Sequence, residues 1–128
     1  MFRQIDYVMV TVSSMSRSVE FYRDKLGLAL KFESPEWTEF ETGSTVLALH
    51  GGGRLRPNMN EKTESLAGTC SIGFTVENLE KKFEELNSKG VVFVMPPTQR
   101  EEEGIKLAVL LDPDGLPISL AENQEKKN

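Results

Sequence analysis

The chain has 128 residues, 38% of them apolar and 27% charged, which is enough to close an ordinary domain-sized core beneath a solvated surface. A net charge of −5 argues against a general nucleic-acid binder, because neutralising phosphates needs a basic surface. The lone Cys70 has no partner for an internal disulfide, no apolar run approaches the ~20 residues of a membrane span, and no secretory leader is legible, so a cytoplasmic protein is expected.

Residues 4–12 are apolar or β-branched with little interruption and predict a strand, after which Ser13 and Ser14 offer hydroxyls to cap a helix. Met15, Val19, Tyr22 and Leu26 recur at helical spacing against a face of Arg17, Glu20, Arg23 and Asp24, and Gly27 supplies the stop. Residues 28–33, 37–41 and 44–50 then predict three short strands separated by turn signals. The first module therefore reads β-α-β-β-β over residues 4–50.

Residues 51–68 begin with three glycines and lack apolar periodicity, which predicts an exposed, mobile connection. The same order of elements follows in a second module over 69–122. It has a strand at 69–76, a helix at 79–88 burying Leu79, Phe83 and Leu86, a stop at Gly90, and strands at 91–95, 106–111 and 117–121. Asp112-Pro113-Asp114-Gly115 joins the last two strands as a tight turn, and 123–128 form a polar tail. At an offset of 64 residues, V-T-V-S-S-M-S-R-S-V-E-F-Y-R-D-K-L (10–26) lies over F-T-V-E-N-L-E-K-K-F-E-E-L-N-S-K-G (74–90). Two copies of one unit within one domain, with a helix on one face of each sheet and the other face free, predict an α+β fold.

The two modules, the phrase S-M-S-R-S-V-E-F-Y-R-D-K-L-G-L (14–28) and the D-P-D-G turn resemble the vicinal oxygen chelate superfamily. That superfamily includes glyoxalase I, the bleomycin-resistance proteins, extradiol dioxygenases and fosfomycin-resistance enzymes. The resemblance covers roughly residues 4–122 and implies two tandem βαβββ modules forming a curled mixed sheet around a cleft, without implying one reaction. It also implies metal ligands on the first and last strands of each module. Here those positions hold Tyr7, Ala48, Ser71 and Ser119, and a phenol, a methyl group and two hydroxyls are not the three or four donors that a divalent metal needs. No metal or other cofactor is expected, and the catalytic residues, if any, are not identifiable.

Strand alternation sends Val8, Val10 and Val12 toward the helix and Tyr7, Met9 and Thr11 toward the cleft; it likewise separates Thr38 and Phe40 from Trp37, Glu39 and Glu41. His50, the sole histidine, shares the face of Ala48 and is either a base or donor for a ligand or a rim histidine. Trp37 either stacks on a planar or cationic ligand or closes the sheet edge. The expected ligand-binding set is Tyr7, Met9, Trp37, Glu39, Ala48, His50, Ser71 and Ser119.

The run Arg100-Glu101-Glu102-Glu103-Gly104 is either an acidic clamp or a solvated loop, and Cys70 is expected as a small buried thiol. A metal-independent binder of a small organic molecule, cationic or aromatic, working as a homodimer without nucleic acid or membrane, is the leading expectation. A glyoxalase-like lyase, isomerase or dioxygenase is the alternative.

Overall fold

Ser14 starts the first helix by one contact, its hydroxyl accepting the backbone N–H of Arg17 at 3.3 Å. Asn78 does the same for the second helix, its side-chain oxygen accepting the N–H of Lys81 at 3.1 Å. Ser14 and Asn78 lie 64 residues apart, so the repeat legible in the sequence is a repeat of helix caps.

The computed structural model describes residues 2–55, 67 and 70–124. The chain divides into two compact units, Met1–Pro57 and Asn58–Asn128. The first holds β1 (Tyr7–Thr11), α1 (Met15–Val19), a π-helical continuation (Glu20–Lys25), β2 (Ala29–Glu33), β3 (Trp37–Thr42) and β4 (Thr45–His50). The second holds β5 (Ile72–Thr75), α2 (Leu79–Ser88), β6 (Val92–Arg100), a 3-10 turn (Glu101–Glu103), β7 (Ile105–Leu111) and β8 (Pro117–Asn123). Each unit builds a four-stranded sheet, in the orders β1-β4-β3-β2 and β5-β8-β7-β6. In both, the first strand runs parallel to the last and the remaining pairs are antiparallel. The fold is thus α+β with two mixed sheets.

The helix of the first unit packs on the face that strand alternation predicts. Val12, Phe40, Leu49 and Thr38 are fully buried, and the rings of Tyr22 and Phe40 lie 6.1 Å apart. The buried stripe of the helix is wider than its apolar spacing indicates: Ser18 and Phe21 are buried with Val19 and Tyr22, while Met15 and Leu26 are only half-buried. Ser18 and Phe21 lie three residues apart beside Val19 and Tyr22, so they widen the stripe at ordinary helical spacing, and a π turn follows. Leu26 N–H donates to the carbonyl of Phe21, five residues back, so one extra residue is accommodated and the phase of the helix shifts. Gly27 and Gly90 end the two helices with φ of +78° and +82°, and they lie 63 residues apart, one fewer than the caps. Module 1 carries an inserted residue that the α-helix absorbs as a wide turn.

In the second unit Leu79 and Leu86 are buried, and Phe83 is half-buried with its ring 4.7 Å from that of Phe93. The backbone N–H of Leu79 donates to Glu122 Oε1 at 2.7 Å, which ties the start of α2 to the last strand. Asp112 Oδ1 accepts the N–H groups of Asp114 and Leu116 at 2.9 and 2.8 Å, fixing the D-P-D-G turn.

Several boundaries differ from the sequence-based expectation. β1 and β5 are shorter than 4–12 and 69–76, and Cys70 is exposed rather than buried because it precedes β5 outside the sheet. β6 extends to Arg100 through Pro96 and Pro97, since an edge strand needs no N–H on its outer side. β8 runs to Asn123, further than the 117–121 expected. Of the expected connection, 51–55 is described and Gly51 and Gly53 donate to the carbonyls of Glu36 and Val12; residues 56–66 and 68, with Thr69 and 125–128, lie outside the described residues.

Candidate functional site on the first sheet

The face of the first sheet opposite α1 is assembled in rows across the strands. Met9 stands opposite Ala48, Ala48 opposite Glu39, and Glu39 opposite Phe32. The neighbouring row runs Thr11, His50, Trp37. Side chains facing one another in a row share a face, so five of the expected residues (Met9, Trp37, Glu39, Ala48, His50) come together, with Tyr7 one row further.

Contacts between these side chains fix their arrangement. The indole Nε1–H of Trp37 donates to Glu39 Oε2 at 2.8 Å. The Tyr7 and His50 rings lie edge-on to the indole, at 5.9 Å and 6.1 Å with interplanar angles of 77° and 80°. Offset and edge-on aromatic contacts of this spacing are favourable by about 0.5–1.5 kcal/mol each. Trp37 and Glu39 are half-buried, Tyr7 and His50 exposed, and Ala48 fully buried at the floor of its row.

Phe32 belongs to this face, and simple alternation along β2 does not place it there. Leu30 stands opposite Phe40 on the helix side; counting on by two would put Phe32 opposite Thr38 on that same side. A β-bulge at Lys31 advances the register, so that Phe32 stands opposite Glu39 and Glu33 opposite Thr38. Phe32 is 52% exposed. β6 has the same bulge, between Phe93 opposite Leu110 and Met95 opposite Val109, so the irregularity recurs in the second module.

The second sheet gives a matching row of Gly73, Ser119, Val109 and Met95. Gly73 pairs with Ser119 as Met9 pairs with Ala48, so Ala48 and Ser119 occupy equivalent positions. Ser119 is half-buried, whereas Ser71 is exposed and lies one residue before β5, unpaired in the ladder where Tyr7 is paired. The next row is Thr75, Ala121 and Leu107, the equivalent of Thr11, His50 and Trp37. Among the described residues no three His, Cys, Asp or Glu side chains converge as metal ligands. The side chains of Tyr7, Ala48, Ser71 and Ser119 do not fit a divalent metal by their chemistry. The run Glu101–Glu103 is an exposed 3-10 turn, with Glu103 Oε2 accepting from Arg100 Nε at 3.0 Å.

Paired β-α-β-β-β units, each with its first strand parallel to its last, define the class. The chain belongs to the Glyoxalase/Bleomycin resistance protein/Dioxygenase superfamily, whose sequence profile matches residues 4–120. It is 30% identical over 113 residues to the uncharacterized protein YraH of Bacillus subtilis, covering 84% of this chain and 88% of that one. It is 25% identical over 131 residues to a probable lactoylglutathione lyase of Synechocystis, covering 95% and 97%. A glyoxalase/dioxygenase from Nostoc punctiforme superposes with a TM-score of 0.81 at 19% identity, over 96% of this chain and 92% of that one, and so shares the fold. Among the described residues no helix is long and apolar enough to cross a membrane.

Proposed function

We propose that this protein binds a small organic molecule, without a divalent metal, on the sheet faces that carry Tyr7, Met9, Trp37, Glu39, Ala48 and His50 and, from the second module, Ser71 and Ser119. The proposal includes a cleft shared across a homodimer, acting in the cytoplasm as a single domain. One observation carries it: where relatives that use a metal need imidazole or carboxylate, this chain has a phenol, a methyl group and two hydroxyls, while an aromatic cluster stands beside those positions on the first sheet. Elemental analysis, combined with thermal unfolding in metals, chelator and a broad set of organic compounds, tests it. The expected result is no stoichiometric metal, a chelator-insensitive midpoint and a shift with at least one organic compound, because a ligand specific to the folded state stabilises it by mass action. Stoichiometric metal with a chelator-sensitive midpoint overturns it, and a monomeric mass in solution overturns the shared cleft.

The similarity to a probable lactoylglutathione lyase favours a second reading, a glyoxalase-like lyase or isomerase. His50 and Tyr7 would then serve as acid and base, or a metal would be held at other positions. Under that reading His50→Ala abolishes turnover of lactoylglutathione without lowering the unfolding midpoint; unchanged turnover removes His50 from the chemistry.

A further inference from the structure

The two sheets are built alike, which makes the second an internal control for the first. Where the first sheet has Glu39, the second has Val109 in the equivalent row. Where the first has Trp37 and His50, the second has Leu107 and Ala121. The fold therefore completes these positions with aliphatic side chains, and nothing in strand pairing or helix packing requires a carboxylate or an indole there. Placing a half-buried carboxylate beside Phe32 and Ala48 costs desolvation that Val109 avoids. Among the described residues no Lys or Arg lies within ion-pair distance of Glu39, and Lys31, extruded by the bulge beside it, makes no ion pair with it. The indole N–H satisfies one carboxylate oxygen without neutralising its charge.

We infer that Glu39 and Trp37 recognise a planar organic cation, with Phe32 as a further aromatic surface brought alongside by the β-bulge. The inference rests on the reading that this face binds a small organic molecule, and it names the chemical class. A cation near an aromatic face gains from the ring quadrupole, and near Glu39 from a charge that has no counter-ion among the described residues. Net charge −5 adds a field of the same sign.

Trp37 is the sole tryptophan, so its fluorescence reports on this site alone. The experiment titrates the protein with N-methylquinolinium and, separately, with quinoline, which is uncharged at pH 8. Free N-acetyltryptophanamide serves as the control for collisional quenching. The expected result is saturable quenching by N-methylquinolinium with an affinity about tenfold above that of quinoline, the factor that about 1.4 kcal/mol of charge and cation–π attraction supplies. In Glu39→Gln, which keeps an acceptor for the indole and removes only the charge, that preference falls to within about twofold at an unchanged unfolding midpoint. Equal affinity for the two probes, a preference that survives Glu39→Gln, or quenching by N-methylquinolinium no different from the free control overturns the inference. The comparison of the two probes on the unaltered protein stands even where the variant does not fold. The thermal screen of uncharged and anionic compounds decides separately whether the face binds anything.

Discussion

Trp37 and Glu39, two positions apart on β3, are joined by an indole N–H donating to a carboxylate oxygen at 2.8 Å. Trp37→Phe keeps a ring in the aromatic cluster and leaves that half-buried carboxylate without its described partner. The expected loss is about 1 kcal/mol, the net worth of an ordinary hydrogen bond. Urea unfolding followed by far-ultraviolet circular dichroism measures it, and an unchanged midpoint would mean that the bond contributes nothing net.

Two glycines that look alike in sequence differ in what surrounds them. A Cβ at Gly53 would lie 2.8 Å from Thr11 Cγ2 and 3.0 Å from the Val12 carbonyl oxygen, whereas one at Gly73 meets nothing closer than Ser119 Cβ at 3.9 Å. Gly53→Ala is therefore expected to cost about 1–3 kcal/mol by forcing the chain off the end of β1, and Gly73→Ala within about 0.5 kcal/mol. Thermal unfolding of the two variants side by side is the measurement, and equal midpoints would contradict the close approach at Gly53.

Ser18 is fully buried against the first sheet, and its hydroxyl finds no hydrogen-bond partner among the described residues. Ser18→Ala removes a buried unpaired polar group and raises helix propensity, so it is expected to stabilise the protein by about 1 kcal/mol. A lower denaturation midpoint in the variant would mean that the hydroxyl is satisfied in solution.

The π turn predicts an asymmetry between the helices. Deleting the exposed Asp24 from the first removes the inserted residue and lets the chain between Ser14 and Gly27 relax to an α-helix of the second module's length. Deleting Glu84 from α2, which has no residue to spare, turns Leu86 off its buried face. The first deletion is expected to cost under about 2 kcal/mol and the second at least twice as much, read from urea midpoints. The opposite order would contradict the insertion.

Much of the fold was legible because its signals are local. Ser14 and Asn78 cap their helices through residues three positions on, Gly27 and Gly90 end them by taking positive φ, and Asp112 folds its turn onto Asp114 and Leu116. Alternation along β3 and β4 likewise placed Trp37, Glu39 and His50 on one face, because a strand without a bulge keeps its period of two. Phe32 escaped that count, since one extra residue in β2 reverses every later side chain and the bulge is chosen by pairing with β3. Phe21 escaped as a core residue because the buried stripe, widened by Ser18 and Phe21, exceeds the single row of Met15, Val19, Tyr22 and Leu26 on which it was counted.

The sequence by itself determined the duplicated α+β plan, the helix ends, the turns and the residue types at the four positions where metal ligands are implied, all of which follow from side-chain chemistry and short-range spacing. Only the tertiary structure decided that Phe32 stands beside Glu39, that Glu122 caps a helix 43 residues away and that the indole of Trp37 holds a carboxylate with no counter-ion among the described residues. These depend on cross-strand register and on contacts between segments distant in the chain, and competing hydrogen bonds and packing settle them only once the sheets have formed.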